Sequence, residues 1–101
     1  MLIVYVTCDS RDEARNIAQG IVKKKIAGCV NYFPISSFYW WQKEVIHDRE
    51  FALIIQSSKN NFKEIEKYVK EHHSYERPMI VSLNATDANK VFLKWLTDIQ
   101  K

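Results

Sequence analysis

Residues 29–41, CVNYFPISSFYWW, and residues 44–57, EVIHDREFALIIQS, are two β-prone stretches separated only by Gln42 and Lys43. A gap that short between strand-forming runs predicts a single antiparallel hairpin. The first stretch, kept extended at about 3.3 Å per residue, reaches about 43 Å, whereas a 100-residue domain has a radius of gyration near about 13 Å. The hairpin must therefore bend or overhang the rest of the molecule. Pro34 interrupts the first stretch and cannot donate to a ladder, which puts that stretch at a sheet edge or gives it a bulge. Successive strand residues face opposite ways, so Trp40 and Trp41 point to opposite sides near the tip. Large apolar rings there need cover, and exposed aromatic patches usually mark interfaces.

The remaining chain supplies two strands and three helices. LIVYVT (2–7) is short, apolar and β-branched, as a central strand should be. Ser10 and Glu13 form an S-x-x-E capping box, followed by Ala14, Ile17, Ala18, Ile21 and Val22 at helical spacing, with lysines in the last turn and Gly28 beyond the end. A second amphipathic helix carries Phe62, Ile65, Tyr68, Val69 and His72 on one stripe, with Asn60 or Asn61 as its cap. Pro78 ends the SYERP segment after it, MIVSLNA (79–85) reads as a fourth strand, and Asp87 can cap a last helix presenting Val91, Phe92, Trp95, Leu96 and Ile99. The order is β-α-β-β-α-β plus a terminal helix. This predicts an α+β, ferredoxin-like antiparallel sheet with both main helices on one face and the other face bare, to be covered by neighbouring copies in a closed oligomer.

Composition narrows the function. With 101 residues, 47% hydrophobic and 27% charged, the chain is expected to be one domain over residues 1–101. The apolar runs LIVYV and FALII fall far short of the about 20 residues a membrane span needs, so no membrane partner is expected. No secretory leader is recognisable, which points to the cytoplasm. The net charge of +3 comes from scattered Lys and Arg, and nucleic acid is not an expected partner. Cys8 and Cys29 match no zinc-finger or C-x-x-C spacing and read as free, structural thiols. No G-x-S-x-G, H-E-x-x-H or Gly-rich phosphate loop is present, and FALIIQSS lacks the RNA-binding signature that some ferredoxin-like domains carry on their third strand. The chain is not expected to be an enzyme.

Four spaced motifs carry a family resemblance: Gly28-Cys29-Val30-Asn31, Ser37-Phe38-Tyr39-Trp40-Trp41, His73-Ser74-Tyr75-Glu76-Arg77-Pro78 and Phe92-Leu93-Lys94-Trp95-Leu96. In this order they resemble the CutA family of divalent-cation-tolerance proteins over nearly the whole chain. The resemblance implies a ferredoxin-like homotrimer joined through its long hairpins, with a non-catalytic role in binding or tolerating divalent ions such as copper. An alternative comes from the likeness of that trimer to PII signalling proteins, namely a sensor of a small organic or anionic effector in clefts between subunits. Candidate metal ligands, for copper or zinc, are His72 and His73, because imidazole suits both ions. Adjacent helical residues diverge, so the pair can share an ion only if the helix ends there; a role for both in complementing the helix dipole stands beside that reading. Tyr75 and Glu76 are further candidates because they sit in a loop, and His47, on the hairpin, and Glu76 could complete a site between subunits. Trp40 and Trp41 are expected to grip a neighbouring subunit. Relatives usually have Gly where Ile35 and Lys43 stand and often Lys where Gln56 stands, and some carry a metal-associated Cys near the end of the first strand at the position of Val6, whereas Cys8 here lies two residues further on, on the same strand face but displaced by about 7 Å.

Overall fold

β1 (Leu2–Cys8) alternates without interruption: Leu2, Val4, Val6 and Cys8 are buried, and Ile3, Tyr5 and Thr7 lie half-exposed on the opposite face. The computed structural model, which describes residues 1–101, pairs this strand on both sides, to β3 (Glu44–Ser57) and to β4 (Ile80–Asn84). β2 (Cys29–Trp41) completes a four-stranded antiparallel sheet in the order β2-β3-β1-β4. α1 (Arg11–Lys23) and α2 (Phe62–His72) bury Ala14, Ile17, Ala18, Ile21, Ile65 and Val69 against the even-numbered side chains of β1 and against Leu53 and Ile55 of β3. The expected ferredoxin-like order is the observed one, with α3 (Lys90–Ile99) added at the end.

The hairpin is regular along its full length. β2 and β3 keep one register from Cys29 opposite Gln56 to Trp41 opposite Glu44, and Pro34 pairs with Phe51 without a bulge because β2 is the edge strand. Gln42 and Lys43, at φ 49° and 68°, form the two-residue turn with both residues in the left-handed region, the signature of a type I′ hairpin. The left-handed shape that relatives give to glycine is thus adopted here by lysine, whereas Ile35 keeps an ordinary strand conformation. The result is a molecule of 45 × 25 × 22 Å from which the hairpin tip overhangs.

Three local expectations need correction. The end of α1 is set by Lys25 at φ 59°, not by Gly28: the Ile26 amide donates to the Ile21 carbonyl and the Lys25 amide to the Val22 carbonyl, the paired bonds of a Schellman motif. Gly28 is required for a different reason, since a Cβ there would meet Leu96 Cδ1 at 2.4 Å. α3 starts after Asn89, not at Asp87, and its anchor is the fully buried Leu96; Trp95, which the sequence puts on the same apolar face as Leu96, is 47% exposed. Gln100, just beyond the helix, holds this end of the chain in place, donating to the Ile26 carbonyl and Ser57 Oγ and accepting from the Ser58 amide.

Candidate metal centre

Three elements converge at the lower end of the helix layer. Cys8 is the last residue of β1 and points inward with the alternation of that strand. Glu13 lies in the first turn of α1, where its amide is capped by Ser10 Oγ at 3.2 Å. The reciprocal half of the capping box is missing, because the Glu13 carboxylate turns toward the loop after α2, accepting from the Ser74 amide through Oε2. His73 is the first residue past α2, and its extended backbone, at φ −99° and ψ 139°, turns its ring away from the helix axis and under the sheet end. A sulfur of Cys8, a carboxylate oxygen of Glu13 and a ring nitrogen of His73 lie within 4.8 Å of one another.

The hydrogen bonds settle which atoms carry lone pairs. Nε2 of His73 lies 2.7 Å from the Thr7 carbonyl, which only accepts, so Nε2 carries the hydrogen. Nδ1 accepts the Tyr75 amide at 3.0 Å and is therefore a lone pair. Glu13 Oε1 sits 3.2 Å from that same Nδ1 and, though buried, has no hydrogen-bond donor. Two acceptors facing each other in a dry place repel, and only a shared proton or a metal ion between them relieves the contact. Burial pushes the Cys8 thiol up to about 12, with the charges of Glu13 and Glu50 adding to the effect, so the sulfur keeps its proton until a cation replaces it. Nitrogen, oxygen and sulfur in one cluster suit zinc- or copper-class ions, and tetrahedral coordination would place the ligand atoms about 3.4–3.8 Å apart. The Nδ1–Oε1 gap of 3.2 Å already suits this, the atoms within 4.8 Å must close by at most about 1 Å, and the Tyr75 amide must leave Nδ1 for its lone pair to serve an ion. Three protein ligands leave a fourth position open, and the Nε2–Thr7 bond is the type of outer contact that fixes a ligating histidine.

The two neighbouring histidines part company here. His72 is exposed, with Nδ1 against the Tyr68 carbonyl at 2.8 Å and its ring stacked on Tyr68 at 4.1 Å, whereas the side chain of His73 is 0% exposed. The pair cannot share an ion in this arrangement, since the helix ends at His72 and the next residue turns inward. Tyr75 is half-buried, its ring 4.8 Å from that of His73 and its hydroxyl donating to Glu50 Oε1 at 3.0 Å; burial first, then Glu50, pushes that hydroxyl well above the usual range. Glu76 is exposed and makes no hydrogen bond or ion pair. His47 stacks on Phe38 at 4.3 Å, far out on the hairpin. Trp40 and Trp41 are 74% and 60% exposed and take no part in the cluster. Glu13 was legible in the sequence only as a helix cap, although its place beside Cys8 across a two-residue turn is a signal that β1 and α1 bring these side chains to one end.

A family model described as CutA1 divalent ion tolerance protein matches residues 2–99. The chain belongs to the CutA family. It is similar to the divalent-cation tolerance protein CutA of Archaeoglobus fulgidus, 39% identical over 95 residues that cover 94% of this chain and 93% of the relative. The solved structure of the periplasmic divalent cation tolerance protein CutA from the same organism superposes with a TM-score of 0.95 at 37% identity, all of both chains being covered. CutA1 from Pyrococcus horikoshii gives 0.94 at 30% identity, covering 100% of this chain and 99% of that one. The PII-like protein CutA from Nostoc sp. PCC 7120, 23% identical with a TM-score of 0.90 over 100% of this chain and 98% of that one, shares the fold.

Proposed function

We propose that this CutA protein is a non-catalytic homotrimer that binds a divalent ion of the copper or zinc class through Cys8, Glu13 and His73. The observation that carries the reading is Glu13 Oε1, buried without a donor and 3.2 Å from His73 Nδ1, with the Cys8 sulfur within 4.8 Å of both. His72 is left outside the ligand set. The experiment is titration of the protein with cobalt(II), whose thiolate charge-transfer absorption reports sulfur ligation. The expected result is a band at one ion per chain that Cys8→Ser abolishes, that His73→Ala weakens at least about tenfold, and that His72→Ala leaves intact. A band that survives Cys8→Ser, or none in the wild type, sinks the assignment.

The homotrimer is supported by the uncovered sheet face, where Val81 and Leu83 are exposed, and by the bare aromatics of the hairpin tip. Cytoplasmic residence is part of the proposal and is supported by two unbridged cysteines; recovery of the native protein in a periplasmic fraction would count against it. A second reading, a PII-like sensor of a small effector, draws on a cavity of about 620 Å³ lined by Asp9, Pro34, Ile35, Ser36, Arg49, Glu50 and Phe51 at the base of the hairpin. Its mark would be a small molecule retained between subunits by the purified trimer; a trimer whose mass spectrum holds no such molecule argues against it.

A further inference from the structure

Both ring nitrogens of His73 are already engaged, and this bears on how a metal ion could reach them. Nε2 is spent on the Thr7 carbonyl of β1, inside the sheet end, and carries the hydrogen of that bond. Nδ1 is the nitrogen that faces Glu13, and its lone pair is occupied by the Tyr75 amide at 3.0 Å. One lone pair cannot serve both an amide hydrogen and a metal ion. Tyr75 is the residue that would have to give way, and it is tethered elsewhere: its hydroxyl donates to Glu50 Oε1 at 3.0 Å. Glu50 is only 8% exposed and lines the 620 Å³ cavity together with Asp9 and Arg49. Residues 73–79, between α2 and β4, belong to no helix or strand, so no ladder of backbone bonds opposes a shift of Tyr75.

We propose that Tyr75 is a latch that opposes metal binding at Cys8, Glu13 and His73: the ion must displace the Tyr75 amide from Nδ1, the Tyr75–Glu50 hydrogen bond resists that displacement, and metal loading is thereby transmitted to the cavity at the base of the hairpin. The inference rests on the metal reading above. The latched loop is stabilised by two bonds made by one residue, the amide to His73 and the hydroxyl to Glu50. A metal ion that takes Nδ1 removes the first and strains the second, loosening the hold of Tyr75 on Glu50 beside the cavity. By linkage the relation runs both ways: anything that draws Glu50 away from Tyr75 tightens the metal site, with no contact to the metal. The two candidate activities of this fold, ion binding and effector sensing, would then be one coupled device.

The test uses zinc(II) alone as the probe on the intact wild-type, Tyr75→Phe and Glu50→Gln proteins, with affinity measured by calorimetry. Tyr75→Phe keeps the ring and deletes the bond to Glu50, and is expected to bind zinc about tenfold tighter than wild type, the scale of one lost hydrogen bond to a charged group. Glu50→Gln weakens the same bond but also removes a negative charge that acts on Cys8, so it serves as a background: the tightening given by Tyr75→Phe should shrink when Glu50→Gln is already present. A purely structural role for Tyr75 would make the variant bind equally or more weakly, and that result overturns the latch while leaving the metal site standing. Hydrogen exchange at the Tyr75 amide, followed by NMR, gives the second arm. The amide should be protected without zinc and exchange faster once zinc is bound; persistent protection in the loaded protein overturns the latch. Absence of zinc binding by the wild type overturns the underlying metal reading, and the latch with it.

Discussion

Cys8 and Tyr75 hold their protons unusually firmly, and the sign of the effect on stability follows. The folded Cys8 thiol titrates near about 12 against 9.0 for the free side chain, and Tyr75 is also shifted upward. The unfolded chain therefore gives up these protons first. Below about pH 9 the contribution is complete; as pH rises through 9 toward 12 Cys8 withdraws stability, at a limiting slope of about 1.4 kcal/mol per pH unit, and Tyr75 follows only above its ordinary value of 10.0. Metal-free protein is expected to show a melting temperature that falls from about pH 9 upward, with a shallower fall in Cys8→Ala; parallel curves for the two proteins, measured by circular dichroism, would contradict the assignment. At this scale the candidate site was only partly legible. His73 was readable because a histidine at a helix end has ligand chemistry whatever its surroundings. Its separation from His72 was not, because that depends on the backbone of a single residue leaving the helix. Glu13 was hidden behind a correct cap: Ser10 does bind its amide, and nothing in the spacing says that the carboxylate goes elsewhere.

The helices and the hairpin show how side chains and backbone share the work of ending an element. Two lysines, Lys25 at the end of α1 and Lys43 in the hairpin turn, sit in the left-handed region at a cost of roughly 1 kcal/mol each. Lys25→Gly should raise unfolding stability by about 0.5–1 kcal/mol in denaturant titrations, because the Schellman bonds to Ile21 and Val22 need that backbone shape and the exposed lysine side chain makes no hydrogen bond or ion pair; a decrease would show that the lysine stabilises the turn by other means. Helix positions and the hairpin register were readable because period and turn length are local properties. The start of α3 and the exposure of Trp95 were not. Leu96 rather than Trp95 meets the space left by Gly28, and that choice rests on how α3 docks against a loop distant in the chain.

For the whole molecule, the exposed aromatics mark what a single chain leaves unfinished. Phe38 and Trp40 are each 74% exposed and Trp41 60%, while Leu83, on the face away from the helices, is 59% exposed. Light scattering is expected to give about 36 kDa, three copies of the 12.0 kDa chain, and Trp40→Ser with Trp41→Ser should lower that mass without loss of the sheet signal. A 12.0 kDa wild-type species at micromolar concentration would remove the trimer. The order of strands and helices and the two-residue turn were determined by sequence alone, which also confined Pro34 to an edge or a bulge and the hairpin to a bend or an overhang. Each follows from chain stiffness, side-chain period or the missing proline donor, which act over a few residues and need no partner. The joining of Cys8, Glu13 and His73, and the Tyr75 link from His73 to Glu50, were decided only by the tertiary structure. Those contacts close between segments far apart in the chain, and hydrogen-bond geometry over 3 Å is set by the packing of β1, α1 and α2 together rather than by any one of them.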